Sequence, residues 1–79
     1  MTRVAAETRA TAVAILTRAA NTAGPFPRDR AADELNAPME ARWLSYNAWS
    51  AHANMPALSL REQYAKAAAR LQTGWTPCG

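Results

Sequence analysis

Apolar residues recur along this chain at helical rather than alternating spacing. In the first third, Val4, Thr8, Ala12, Ile15 and Ala19 fall on one stripe of a 3.6-residue wheel, with Leu16 at its edge. Arg3, Glu7 and Arg18 fall opposite, and Arg3 and Glu7 are spaced to pair weakly across one turn. The pattern predicts a helix over about 3–22. Thr2 would cap it, Gly24 would take the left-handed C-terminal position and Pro25 would stop it.

A second helix is predicted over about 38–53, capped by Asn36 or Ala37, with Pro38 preorganised for its first turn. It has two apolar sides. Met39, Trp43, Tyr46, Ser50 and Ala53 form one, with Trp49 at its margin; Leu44, Ala48 and Ala51 form the other. The first side is assigned to the core, because a small domain needs its large side chains inside. That leaves Leu44, Ala48, Ala51 and the marginal Trp49 as the candidate protein interface.

A third helix is predicted over about 60–73. Ser59-Leu60-Arg61-Glu62 reads as a capping box and Gly74 as the closing residue. Leu60, Tyr64, Ala67, Ala68 and Leu71 would face inward, and Gln63, Lys66 and Arg70 outward. Between the first two helices, Pro25-Phe26-Pro27 forces an extended connector, and 28–36 has room for one more short helix. The tail 74–79 reads as irregular. Valine and isoleucine are few and strict alternation is absent, so no β-sheet is expected. The fold class is all-α: a small three-helix bundle with that optional fourth element.

The length of 79 residues bounds this to a single domain with a marginal core. One cysteine, Cys78, excludes an intramolecular disulfide framework and suits a reducing cytoplasm. The longest apolar run, Ala12 to Leu16, is far too short to cross a bilayer, and Glu7 and Arg9 crowd the place of a secretory signal. A cytoplasmic location is therefore expected, with no membrane partner. The chain carries a net charge of +3, eight of its nine basic residues being arginine, and 20 alanines. That bias fits a GC-rich coding sequence and a phage-encoded accessory role. The charge is mild for a dedicated duplex binder, and the acidic residues are interspersed with the basic ones.

Catalytic signals are weak. His52 stands near a helix end, where it can meet the last carbonyls, and lacks a base or ligand partner. Cys78 stands in the tail with no activating neighbour. Asp29, Asp33 and Glu34 interleave with Arg28 and Arg30, which predicts mutual ion pairing rather than acid–base or metal chemistry. No glycine-rich phosphate loop and no zinc spacing is present. The chain is accordingly read as non-enzymatic, with no cofactor and no metal.

Residues 46 to 64 resemble the start of the C-terminal winged-helix segment of phage and plasmid DNA primases. The shared pattern is a Tyr-x-x-Trp helix, a loop and a Leu-Ser step, here Tyr46, Trp49, Leu58 and Ser59, with Tyr64 shortly after. The likeness covers about a quarter of the chain, and the wing is missing because only five residues follow Gly74. The resemblance implies helix-turn-helix-like packing and nucleic-acid contact, and nothing about primase chemistry.

Two functions are therefore expected. The first is an interaction module that binds a protein partner, or a second copy of itself as a homodimer, through Leu44, Ala48, Trp49 and Ala51. The alternative is a nucleic-acid binder using Arg61, Gln63, Lys66 and Arg70 of the third helix.

Overall fold

A computed structural model describes residues 4–53, 55 and 57–77. The expected all-α architecture is present as four helices: α1 (Ala6–Ala20), α2 (Pro27–Glu34), α3 (Met39–Ser50) and α4 (Leu60–Gln72). No strand occurs among the described residues. The optional short element of the connector is thus a helix, α2. Among the described residues no helix is long and apolar enough to cross a membrane.

The helix ends follow from local chemistry. At α4, the Ser59 hydroxyl accepts from the Glu62 backbone N–H at 3.2 Å, and the Glu62 carboxylate accepts from the Ser59 N–H at 3.1 Å. This is the predicted capping box. At its other end Gly74 is left-handed, with φ +95°. The Gly74 N–H donates to Leu71 O and the Trp75 N–H to Arg70 O, the paired bonds of a Schellman ending.

Asn36 does something other than expected. It does not cap α3; it ends α2. With φ +51° it takes the left-handed position, its N–H donates to Asp33 O, and the Ala37 N–H donates to Ala32 O. The N-terminal cap of α3 is Pro38, not Asn36 or Ala37, in extended conformation. The first helix also stops earlier than 22. Asn21 is its C-cap with φ −109°, so the left-handed Gly24, φ +101°, belongs to the connector. α1 also begins later than 3: its N-cap is Ala5, in extended conformation, and not the predicted Thr2, which lies outside the described residues.

α1 packs most extensively on α4, then on α3 and α2, and α3 also packs on α4. The domain is flat, spanning 32 × 27 × 16 Å. Its core is a seam of alanines around four fully buried large side chains, Ile15, Leu16, Leu44 and Leu71, closed by Tyr64. Ala12 and Ala19 come from α1, Ala31 and Ala32 from α2, Ala41 and Ala48 from α3, and Ala67 and Ala68 from α4. Small side chains set the inter-helix distance, so this composition draws the backbones close. The predicted stripes of α1 and α4 are buried from Ala12 to Ala19 and from Tyr64 to Leu71, while Val4 and Thr8 are only half-buried and Leu60 is exposed at the first turn of α4.

Polar groups lock the seam. Arg9, near the start of α1, donates through Nη1 to Leu71 O at 2.9 Å and to Trp75 O at 2.6 Å. A charged donor thus adds a second bond to Leu71 O and takes Trp75 O just beyond α4. Buried Ser45 donates to Arg42 O at 2.7 Å. Arg42 itself ties α3 to α2, reaching Ala37 O at 2.8 Å and Asp33 Oδ1 at 2.6 Å. Arg18 reaches Glu34 at 2.7 Å. The acidic cluster therefore pairs mainly with arginines of other helices. Only Asp29 meets an expected partner, Arg28, at 3.6 Å.

Candidate interaction surface

An α-helix turns about 100° per residue, which sets Met39, Trp43, Tyr46 and Ser50 on one side of α3. The buried residues Ala41, Leu44, Ser45 and Ala48 fall on the opposite side. The burial of these two sides is the reverse of the one expected. Leu44 and Ala48, assigned to the interface, are sealed in the core. Met39, Trp43 and Tyr46, assigned to the core, are 77%, 58% and 47% exposed. The reason is space: the side of α3 that meets α1 and α4 lies against alanines, where a tryptophan has no room. Of the other two interface residues, Trp49 is half-buried against the core and Ala51 is exposed just past the helix.

The exposed side borders a groove of about 470 Å³ between the start of α1 and α3. Val4, Ala5 and Thr8 form one wall, Met39 and Trp43 the other, with the covered Leu44 beneath and Glu40 on the rim. Glu40 makes no ion pair among the described residues.

At its C-terminal end the face grades into an ordered aromatic band. The Tyr46 and Trp49 rings lie 5.9 Å apart at 55°, and Trp49 and Tyr64 lie 5.9 Å apart at 33°. These are the offset and tilted geometries that aromatic quadrupoles favour. The Arg28 guanidinium sits 4.9 Å from the Tyr46 centroid and 5.8 Å from that of Trp49. The Trp49 indole N–H donates to Gln63 Oε1 at 3.1 Å. Burial pushes the Tyr64 hydroxyl above the usual tyrosine range, partly offset by the Arg28 charge. Tyr46, Trp49 and Tyr64, the aromatics of the primase-like pattern, are thus one packed group.

The four residues assigned to nucleic acid do not share a surface. Arg61 turns toward α1, donating to Asn21 Oδ1 at 3.2 Å. Gln63 turns toward α3, held by Trp49 and by Leu58 O, and does not face outward. Lys66 and Arg70 remain together on a third flank, beside His52, Met55 and Leu58. At 100° per residue, Arg61 lies roughly half a turn from Arg70 around the axis. His52 is 3% exposed, with its Nδ1 3.3 Å from Ala48 O, the helix-end role expected of it. Among the described residues no three His, Cys, Asp or Glu side chains converge as metal ligands. Cys78 lies outside the described residues.

Sequence reasoning gives Arg9 no packing role and Arg28 only ion pairing with the neighbouring acids, not its place over the aromatic rings. Their roles depend on contacts with distant segments, and an arginine in a helix reads by default as solvated. No protein family, curated protein or solved structure matches the chain.

Proposed function

We propose that this chain is a non-enzymatic α-helical interaction module that docks another protein on the outer side of α3. The observation that carries the reading is the contiguous exposure of Met39, Trp43 and Tyr46. These residue types are enriched at interface centres, and tryptophan and tyrosine dominate hot spots. Fully burying each would contribute about 1.5–3 kcal/mol, before the costs of association. Trp43 is the anchor beside the groove. Tyr46 is held under Arg28, so its ring loses little freedom on binding. The partner surface is apolar, with a cation placed to meet Glu40.

The nucleic-acid reading has less support, because only Lys66 and Arg70 of its four residues share a flank. One experiment separates the two. A benzophenone amino acid replaces Met39, exposed Ala14 on α1, or Lys66, and the chain is irradiated in its host cells. The expected result is a discrete protein adduct from position 39 that disappears with Trp43→Ser and is absent from position 14. No adduct above the position 14 control would reject the module. A nuclease-sensitive adduct from position 66 alone would favour the alternative.

A further inference from the structure

Between α4 and the chain leading into it lies a second cavity, of about 460 Å³, unrelated to the α3 face. Its apolar walls are Met55, Leu58 and Ala69, and buried His52 also lines it. Lys66 and Arg70 stand at its edge, one helical turn apart and both exposed. That spacing puts like charges side by side, a repulsive arrangement. Glu62, one turn toward the N-terminus, offsets only part of the Lys66 charge. No carboxylate lines the cavity, and neither cation forms an ion pair among the described residues. The closest acid along the helix, Glu62, is committed to the Ser59 capping box.

Nor is Arg70 needed to finish α4. Leu71 O and Trp75 O are taken by Arg9, and Arg70 O accepts from the Thr73 and Trp75 N–H groups. The other arginines of the domain mostly have work: Arg9, Arg18, Arg28, Arg30, Arg42 and Arg61 each meet a carbonyl, a carboxylate, an amide or a ring. Lys66 and Arg70 are the pair left facing a concave apolar surface.

We propose that this cavity binds a small organic anion: an oxyacid head group, carboxylate or phosphate, carried on a short apolar body. The Arg70 fork and the Lys66 ammonium hold the head group, and charge-assisted bonds to both are the strong kind. The body lies over Met55, Leu58 and Ala69, and its volume falls within the range of small-molecule pockets. Relief of the Lys66–Arg70 repulsion adds to the binding.

The test is a titration of the isotopically labelled full chain by NMR with three probes: octanoate, octyl phosphate and inorganic phosphate. Octanoate or octyl phosphate should produce saturable shifts at Ala69 and at the His52 ring, which serves as a buried reporter. A Lys66→Ala/Arg70→Ala variant should bind at least about tenfold more weakly, since both charge-assisted contacts are lost. Both side chains are exposed, and an unchanged circular dichroism spectrum would verify that the variant is folded. Three outcomes would overturn the proposal: shifts unaffected by the double substitution, shifts confined to the Trp43 groove, or inorganic phosphate binding as tightly as the octyl probes. Salt-sensitive duplex binding through Lys66 and Arg70 without octyl-probe binding would also overturn it. None of these bears on the Met39 adduct, so the α3 module stands or falls separately.

Discussion

The two sides of α3 carry opposite allocations of side-chain size. The inner side, Ala41, Leu44, Ser45 and Ala48, is small except for one leucine, and it is sealed. The outer side, Met39, Trp43 and Tyr46, is large and open. Hydrophobicity alone would rank the second set as core. Geometry decides otherwise. In a flat four-helix domain, the inner side of α3 faces an alanine seam, and close helix approach excludes large rings. On the proposed reading, stability and recognition are divided between the two sides of one helix, and the division can be tested by substitution.

The largest effect is expected at Leu44. It is 1% exposed and sits under the groove, so Leu44→Ala removes buried methyls and leaves a cavity. A loss of about 2–5 kcal/mol is expected by chemical denaturation. In a domain this small, that consumes much of the total stability. Trp43→Ala, one residue away, should cost only about 1 kcal/mol, because more than half of the residue is in water and no sealed cavity is left. Equal losses at both positions would break the division.

The second prediction inverts the change. Ala48 is fully buried against the seam, so Ala48→Leu should overpack it and cost about 1–3 kcal/mol. Asn47→Leu, on the outer half of the same turn, should be tolerated and should enlarge the apolar face. If Ala48→Leu stabilised the domain, the seam would be loosely packed, and the exposure of the aromatics would need another cause.

These assignments show what was legible in the sequence. The helices were, because caps and period are local: Ser59 with Glu62, and Gly74, behave as their residue types dictate. The buried stripes of α1 and α4 were legible too, since each has one apolar side. α3 was not, because Met39, Trp43 and Tyr46 make one side of its wheel apolar and Ala41, Leu44 and Ala48 the other. Choosing between them needs the identity of the neighbour, which is tertiary information. The candidate nucleic-acid ridge is less contiguous than expected for a related reason. Gln63, Lys66 and Arg70 do fall on one arc of the α4 wheel, but Gln63 is drawn to Trp49 and Leu58 O, and Arg61 lies on the opposite flank toward α1. Asn36 shows the same limit on a smaller scale. It suits either the start of one helix or the end of another, and the structure uses it for the latter.

A third, smaller effect is expected at the α4 cap. Ser59→Ala removes the acceptor for the Glu62 N–H, and a loss of about 1 kcal/mol should follow. Since α4 forms half of the α1–α4 seam, the loss should register in global unfolding rather than as local fraying. Hydrogen exchange would tell the two apart. Fraying confined to the first turn would mean that the seam holds α4 without its cap.

The smallest expected effect concerns acid. Glu34 is held below the usual carboxylate range by the hydrogen bond and charge of Arg18, and Glu62 by its bonds to Ser59. A carboxyl group with a lowered folded pKa favours the folded state once ionised. Its contribution is complete above the unfolded value near 4.5 and is lost as pH falls through the folded one. The domain should therefore lose stability below about pH 4.5. The loss should be shallower in a Glu34→Gln/Glu62→Gln variant. Both groups are fully exposed, and solvent screens such pairs, so the difference should be small beside the Leu44→Ala loss. If the double variant instead abolished most of the acid sensitivity and cost as much at pH 7 as Leu44→Ala, surface charge rather than the alanine seam would hold the helices together. The inner side of α3 would then lose its claim to be the structural one.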